Sequence, residues 1–299
     1  MPPPPSVVLR RLPLHNRSNR VLIGGGDGGD GGGRFRLVEE HLVEYQSLAM
    51  SRFSDLTGDR TGLERLMTKD NIGVIVVLQS TQTLAAPPPQ RLQGGRRVVQ
   101  PKPRPQNLLI ANTHIHWDPS MSDVKLMQVQ FLVEELMMLR TRLKDPTLPM
   151  VVCGDFNSTP SSAVYQLLKN GEISGTSSDF NGFNFGKYTD DGVKHMLRLN
   201  SAYGSGGDEP PFTNYNGDFI GVLDYLWYTE GSLRALGVLQ PYTLEEIRQQ
   251  KSPLPNPHFP SDHLPLMAEF EVTTNLPPSK LDIARDAREA RESRDSRDR

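Results

Sequence analysis

An α/β fold built in layers is what this sequence predicts, and three observations predict it. Apolar runs of strand length alternate with stretches of helical periodicity. Several of those runs end on short polar clusters of Asp, Asn and His, at the strand ends where layered α/β proteins place functional groups. Nearly all the apolar runs fall within residues 35–275, a length ample for a real core.

The elements follow in chain order. Residues 1–34 read as a disordered leader, because four prolines (Pro2 to Pro5) are followed by a glycine tract, Gly24 to Gly33, broken only by Asp27 and Asp30. That tract is too long and regular for a phosphate-binding turn. Residues 72–78 (Ile-Gly-Val-Ile-Val-Val-Leu) form a buried strand. Residues 85–106 hold prolines, glycines and five basic residues (Arg91, Arg96, Arg97, Lys102, Arg104) without an acid, which fits a solvated hairpin insertion or a basic finger on an RNA backbone. Residues 108–111 are a second strand. Residues 123–143 form a helix, with leucines and valines at steps of three and four, Ser122 as cap and Pro146 just beyond. A third strand covers 150–153. A second helix has Thr159 as cap and Pro160 at its first position, and stops at Gly171. Strands at 222–228 and 264–268 complete the domain. The tail, 276–299, alternates Arg with Asp or Glu and is expected to be frayed or disordered.

Charge and composition limit the function. Net charge is −2 and the pI about 6.4, so no global positive field draws in nucleic acid, and any such contact is local. Cys153 is the only cysteine, which excludes an internal disulfide, is compatible with a reducing compartment, and reads as a buried structural thiol. No apolar stretch approaches a membrane span, and the leading prolines with Arg10-Arg11 oppose a signal-peptide core or an amphipathic transit helix.

Four clusters carry chemistry: Asn112-Thr113-His114-Ile115-His116-Trp117-Asp118-Pro119, Gly154-Asp155-Phe156-Asn157, Leu223-Asp224-Tyr225 and Ser261-Asp262-His263. Gly154 permits a sharp turn. Asp155 and Asn157, two apart, point to one side of an extended chain, where a carboxylate and an amide can orient a water and hold a phosphoryl oxygen; the plainer reading is a turn cap. Asp224 sits among Val222, Leu226 and Tyr228, where an unpartnered carboxylate is costly, so it meets either the backbone or an imidazole that it orients. Asp262 reads as a metal or water ligand and His263 as an acid/base or phosphate contact, against the alternative of an ordinary surface pair. His114 and His116 share a face, but no further nitrogen or sulfur ligands stand at zinc spacing. The donors are rich in oxygen, which favours Mg2+ or Mn2+. Trp117, Pro119 and Phe219 offer flat surfaces that suit unpaired bases, or ordinary rim packing.

The order Thr-His, Gly-Asp-Phe-Asn, Leu-Asp-Tyr, Ser-Asp-His resembles the endonuclease/exonuclease/phosphatase superfamily. Longer stretches, residues 67–73, 111–119, 122–126, 212–215 and 257–263, resemble the Ccr4-type poly(A) deadenylases of the Ccr4–Not complex. The resemblance covers residues 35–272. It implies a two-sheet α/β sandwich of the DNase I-like type, magnesium dependence, and removal of 3′ adenosines from poly(A) RNA as 5′-AMP. It also implies Ccr4–Not partners and a cytoplasmic and nuclear location. Under it, Asp155 and Asn157 serve water positioning and substrate contact, Asp155 and Asp262 the metal site, and His263 acid/base chemistry. Asp224 matches an imidazole-orienting aspartate and His114 a phosphate contact, while Asn157, His116, Trp117, Pro119 and Phe219 line the substrate.

The sequence departs from that pattern upstream. The family's early strand with an asparagine, and the Leu-Gln-Glu-type motif whose glutamate binds metal, have no counterpart before Phe35, and Glu39 and Glu40 do not take that role. The leucine-rich repeat domain that docks such enzymes is likewise not seen. The expectation is therefore a sandwich incomplete in its N-terminal half, belonging either to a shortened active deadenylase or to a degenerate relative that binds RNA or a partner without cleaving.

Overall fold

The structure is a computed structural model that describes residues 6–9, 23–24, 35–52, 56, 60–81, 106–206, 208–249 and 253–273. The glycine tract beyond Gly24, the 85–106 insertion up to residue 105, and the charged tail lie outside these residues.

Two short strands come first, β1 (Ser6–Leu9) and β2 (Ile23–Gly24), inside the leader expected to be disordered. The rest of that leader lies outside the described residues. The run Ser-Val-Val-Leu is short but strand-forming, and the prolines and glycines around it masked it in the sequence.

The main sheet draws on β3 (Phe35–Glu44), β4 (Ile72–Ser80), β5 (Asn107–His114) and β6 (Met150–Asp155). A two-stranded pair, β7 (Glu172–Ile173) with β8 (Val193–Lys194), precedes β9 (Leu199–Ser201). A hairpin, β10 (Asn214–Tyr215) with β11 (Ile220–Gly221), then leads into β12 (Asp224–Thr229). The six-stranded order is β3-β4-β5-β6-β12-β9, with β5 and β6 parallel and the other pairs antiparallel. The last strands, β13 (Leu233–Val238) and β14 (Ala268–Val272), join β1 and β2 in a second sheet of order β13-β14-β1-β2.

The central strands are continuous apolar runs because both of their faces are buried. Side chains alternate between two cores. Leu109, Ala111, Met150, Val152, Tyr225 and Trp227 face a core shared with the helices. Leu108, Ile110, Val151, Cys153, Leu226 and Tyr228 face Phe270 and Val272 of the second sheet. The result is helices, sheet, sheet: the layered α/β sandwich.

Among the described residues, six α-helices complete the fold: α1 (Tyr45–Ser51), α2 (Arg60–Met67), α3 (Ser122–Arg142), α4 (Ala163–Asn170), α5 (Lys187–Asp190) and α6 (Leu244–Arg248). α3 is the crossover that makes β5 and β6 parallel. Its Asp123 is fully buried, yet paired: Arg65 donates two bonds of 2.8 Å and Asn181 a third of 2.7 Å. These bonds tie α2 and the 181 turn to the start of α3, just behind the polar clusters.

Among the element boundaries that differ from expectation, three have a clear local cause. Ser122 is the first helical residue rather than the cap, because its hydroxyl donates to the Asp179 carbonyl at 3.0 Å. Thr159 and Pro160 stay in a turn closed by Ser162 N–H on the Thr159 carbonyl (3.0 Å), so Ser162 caps α4 by accepting from Tyr165 N–H. Gly171 ends that helix in the left-handed region at φ 87°. The final strand starts at Ala268, not Leu264, because Leu264 N–H instead reaches the Thr213 carbonyl (2.7 Å) and its side chain joins Phe212, Ile247 and Leu254 in a third small core. Cys153 is buried and its thiol is pushed up to about 11 by that burial, as befits an inert core residue.

Candidate active site

Strand register assembles the site. In the parallel pair, His114 of β5 stands opposite Asp155 of β6; in the antiparallel pair, Asp155 stands opposite Asp224 of β12. Three polar residues thus end up in one row across three neighbouring strands, at the edge where the apolar runs stop. A slip of one residue in either pairing would turn Asp155 onto the other face.

Gly154 makes this row possible, though not through a turn. It lies inside β6 with φ 143°, and a Cβ built on it would fall 1.8 Å from the Thr113 carbonyl oxygen. β5 therefore approaches β6 closely at the residue before Asp155. The turn comes later, at Asn157, whose φ is 43°. Asn157 N–H donates to Asp155 Oδ1 (2.8 Å), and its side-chain amide donates to the Ile115 carbonyl (3.0 Å). The amide thus begins as a clasp between the two clusters, as the turn-cap reading has it, rather than as a side chain parallel to Asp155.

The fourth member arrives from a loop. His263 Nδ1 lies 2.7 Å from Asp224 Oδ2, which answers which imidazole Asp224 serves. The other ring nitrogen of His263 is 3.8 Å from Asp155 Oδ2, and His114 Nε2 is 3.3 Å from the same oxygen. One carboxylate oxygen is therefore faced by two imidazoles. Burial works against a charge on His263, but the Asp224 hydrogen bond and the charges of Asp224, Asp155 and Asp262 outweigh it and lift its pKa to about 9. Burial, together with the charge of Asp224, pushes Asp155 up to about 7. Burial and the neighbouring His263 charge hold His114 below the usual imidazole range.

Thr213 and Asn214 were not assigned roles from the residue pattern, yet they hold this arrangement. The fully buried Thr213 hydroxyl accepts from the N–H groups of Leu223 (2.9 Å) and Asp224 (3.0 Å). Asn214 donates to Asp262 Oδ2 (3.3 Å), and Tyr215 N–H donates to the Asp262 carbonyl (3.0 Å). From the helix side, Lys125 Nζ donates to the Asn157 carbonyl (2.9 Å), Asn71 donates to the His114 carbonyl (3.0 Å), and Gln128 accepts from His116 N–H (2.8 Å). In sequence these read only as isolated polar residues beside apolar ones.

His116 lies beyond the end of β5 and has charged neighbours different from those of His114. β5 ends at His114, Ile115 turns into the core, and His116 is buried beside Trp117 with its ring under the charges of Lys69, Asp118, Lys125 and Arg65. Its pKa is lowered, first by burial and then by Lys69. Trp117 (68% exposed), Pro119 and Phe219 (36%) present surface to solvent.

A cation fits the donor set. Ligand atoms of Asp155, Asp224 and His263 lie within 4.8 Å of one another, and among the described residues this cluster contains no glutamate. Within this cluster Asp224 is engaged by His263, and the charge of a further carboxylate, Asp262, is felt at Asp155. Two carboxylates suit a hard ion that keeps most of its own water.

One consequence is directly measurable. Replacing Asp224 with asparagine removes the bond and charge that lift His263, leaving burial to act on the ring. In an imidazole proton titration of the metal-free protein, the His263 pKa should fall from about 9 toward or below 6.5. An unchanged value would mean that Asp224 does not set the charge of this ring.

Comparison with known proteins agrees with the geometry. Residues 3–263 match the model of the Endonuclease/Exonuclease/phosphatase family. A Danio rerio protein named CCR4-NOT transcription complex subunit 6-like is 37% identical over 271 residues, covering 82% of this chain and 45% of that protein. The Schizosaccharomyces pombe CCR4-Not complex 3'-5'-exoribonuclease subunit Ccr4 is 36% identical over 272 residues, covering 83% and 36%. The chain thus spans less than half the length of these curated relatives. Among solved structures, ANGEL2, a 2',3'-cyclic phosphatase in complex with adenosine-2',3'-vanadate, superposes with a TM-score of 0.56 at 24% identity, covering 80% of this chain and 68% of that one; that likeness speaks to the fold. This chain belongs to the endonuclease/exonuclease/phosphatase family.

Proposed function

We propose that this chain is a divalent-cation-dependent 3′–5′ exoribonuclease that shortens poly(A) and releases 5′-AMP. The observation that carries the reading is the row His114–Asp155–Asp224, closed by His263, with a single carboxylate oxygen facing two imidazoles. The identity with proteins named as Ccr4 exoribonuclease subunits supports it.

The residues divide the work as follows. Water attacks the phosphorus between the last two nucleotides, and the P–O3′ bond of the penultimate sugar breaks. The terminal nucleotide departs as 5′-AMP, and the shortened RNA keeps a 3′-hydroxyl. Asp155, faced by both imidazoles at the end of β6, orients the water and accepts its proton. His263, cationic at neutral pH through Asp224, faces the phosphoryl oxygens and returns a proton to the leaving 3′ oxygen. His114, 60% exposed, contacts the phosphate from the other side, and Asn157 fixes the turn that carries Asp155's neighbours. Mg2+ held by Asp155 and Asp262 would supply charge stabilisation to the entering and leaving oxygens. Pro119, Trp117 and Phe219 are the surfaces on which unpaired adenines stack, and His116 flanks Trp117 with its ring 6.0 Å away and tilted by 47°. Membership of a CCR4-Not assembly, in the cytoplasm or nucleus, is part of the same proposal. Among the described residues no helix is long and apolar enough to cross a membrane.

The test uses the purified chain with a 5′-labelled RNA ending in oligo(A), with and without Mg2+. A ladder of single-nucleotide steps and 5′-AMP in the supernatant is expected only with the cation. An abasic DNA duplex and a phosphoinositide should remain uncut. RNA binding without shortening would establish a non-cleaving relative and reject the enzyme.

A further inference from the structure

Phe219 owes its position to a glycine two residues on. Gly221, in β11, has a φ outside the left-handed region, so its backbone would accept any residue. Its reason for being glycine is the ring. A Cβ built there falls 2.5 Å from Phe219 Cζ and 3.0 Å from Cε1, so the phenyl ring lies directly over the Gly221 Cα. The other side of the turn is held by Asn216. Its side-chain oxygen accepts from the N–H groups of Asp218 (2.9 Å) and Phe219 (2.8 Å), and Asn216 N–H donates to the Phe219 carbonyl (3.0 Å). The same amide donates onward to Asn214 Oδ1 (3.4 Å), and Asn214 reaches Asp262 Oδ2 (3.3 Å).

We propose that Gly221 and Asn216 are positioning residues for the nucleobase platform: Gly221 is the seat on which the Phe219 ring lies, and Asn216 fixes the tip that carries it in register with Asp262. This rests on the reading of Phe219 as a base-stacking surface. Adding a methyl group at Gly221 meets only the far end of a side chain, so the ring swings away while the hairpin hydrogen bonds stay.

The experiment uses the full chain in EDTA, which halts cleavage, with an oligo(A) RNA ending in 2-aminopurine, whose fluorescence is quenched by stacking. Wild type should quench it on binding. Gly221→Ala should weaken that binding by about fivefold to tenfold and remove most of the quenching. In a Phe219→Ala background, Gly221→Ala should have no further effect, because both act through one ring. Asn216→Ala should behave likewise. Additive losses, wild-type quenching retained in Gly221→Ala, or no quenching in wild type would each overturn the inference. Quenching with the expected mutant pattern, but no cleavage once Mg2+ is restored, would uphold the platform and reject the exonuclease reading instead.

Discussion

Asp155→Asn should lower turnover by about 10^3-fold or more while leaving RNA binding nearly unchanged. The substitution keeps the shape and the acceptor for Asn157 N–H, so the turn survives. What it removes is the negative oxygen faced by both His114 and His263, and with it the proposed proton acceptor and cation ligand. Positioned proton transfer contributes typically 10²–10⁴-fold, and the metal contribution adds to that. Single-turnover release of 5′-AMP measures it, and a variant retaining a tenth of wild-type turnover would contradict the assignment. Stability should move the other way. Because folding raises the Asp155 pKa from 3.8 to about 7, its ionised form opposes folding. That penalty grows as pH rises from about 4 to about 7 and is full above it. The metal-free variant should therefore melt higher than wild type at pH 8, and the gap should close below pH 4.

Gly154→Ala should have the largest effect on the fold. The clash is with backbone, not with a flexible side chain: 1.8 Å to the Thr113 oxygen, 2.9 Å to its carbonyl carbon and 3.0 Å to its nitrogen. β6 cannot retreat, because Gly154 is paired with Thr113 on one side and Tyr225 on the other. Relief requires unpairing the end of β5, which carries His114 as well. A loss of about 3–5 kcal/mol is expected from forced overpacking at a constrained backbone position. In urea denaturation the midpoint should drop sharply with m unchanged. A midpoint near wild type would mean that β5 and β6 do not approach as described.

What the sequence made legible follows from where burial is simple. The central strands β4, β5, β6 and β12 were readable because residues such as Ile110, Val151 and Leu226 make unbroken apolar runs buried on both faces. The four clusters were readable because Asp, Asn and His stand where those runs stop. β3 was not, since it lies at the sheet edge with Leu37, Val38 and Leu42 exposed and charged residues between them. The final strand was misplaced because Leu264 is apolar for a different reason, the small core with Phe212 and Ile247. Within the site, the pattern left Asp224 between the backbone and an imidazole and could not say which imidazole, as the choice depends on a loop crossing back to Asn214. It placed His116 beside His114, but the strand is assigned only to His114 and the two rings meet different charged neighbours. Thr213, whose hydroxyl fixes Asp224, carries no local sign of that task because its partners lie ten and eleven residues on.

In the proposed site Asp155 is the point where cation, water and both imidazoles meet, and Mn2+ tests this most directly. Crystals of the wild-type protein soaked in Mn2+ and measured at the manganese absorption edge should give an anomalous peak bonded to an Asp155 carboxylate oxygen, at about 2.1 Å. A peak seated on other carboxylates, with Asp155 making no bond to it, would contradict the account.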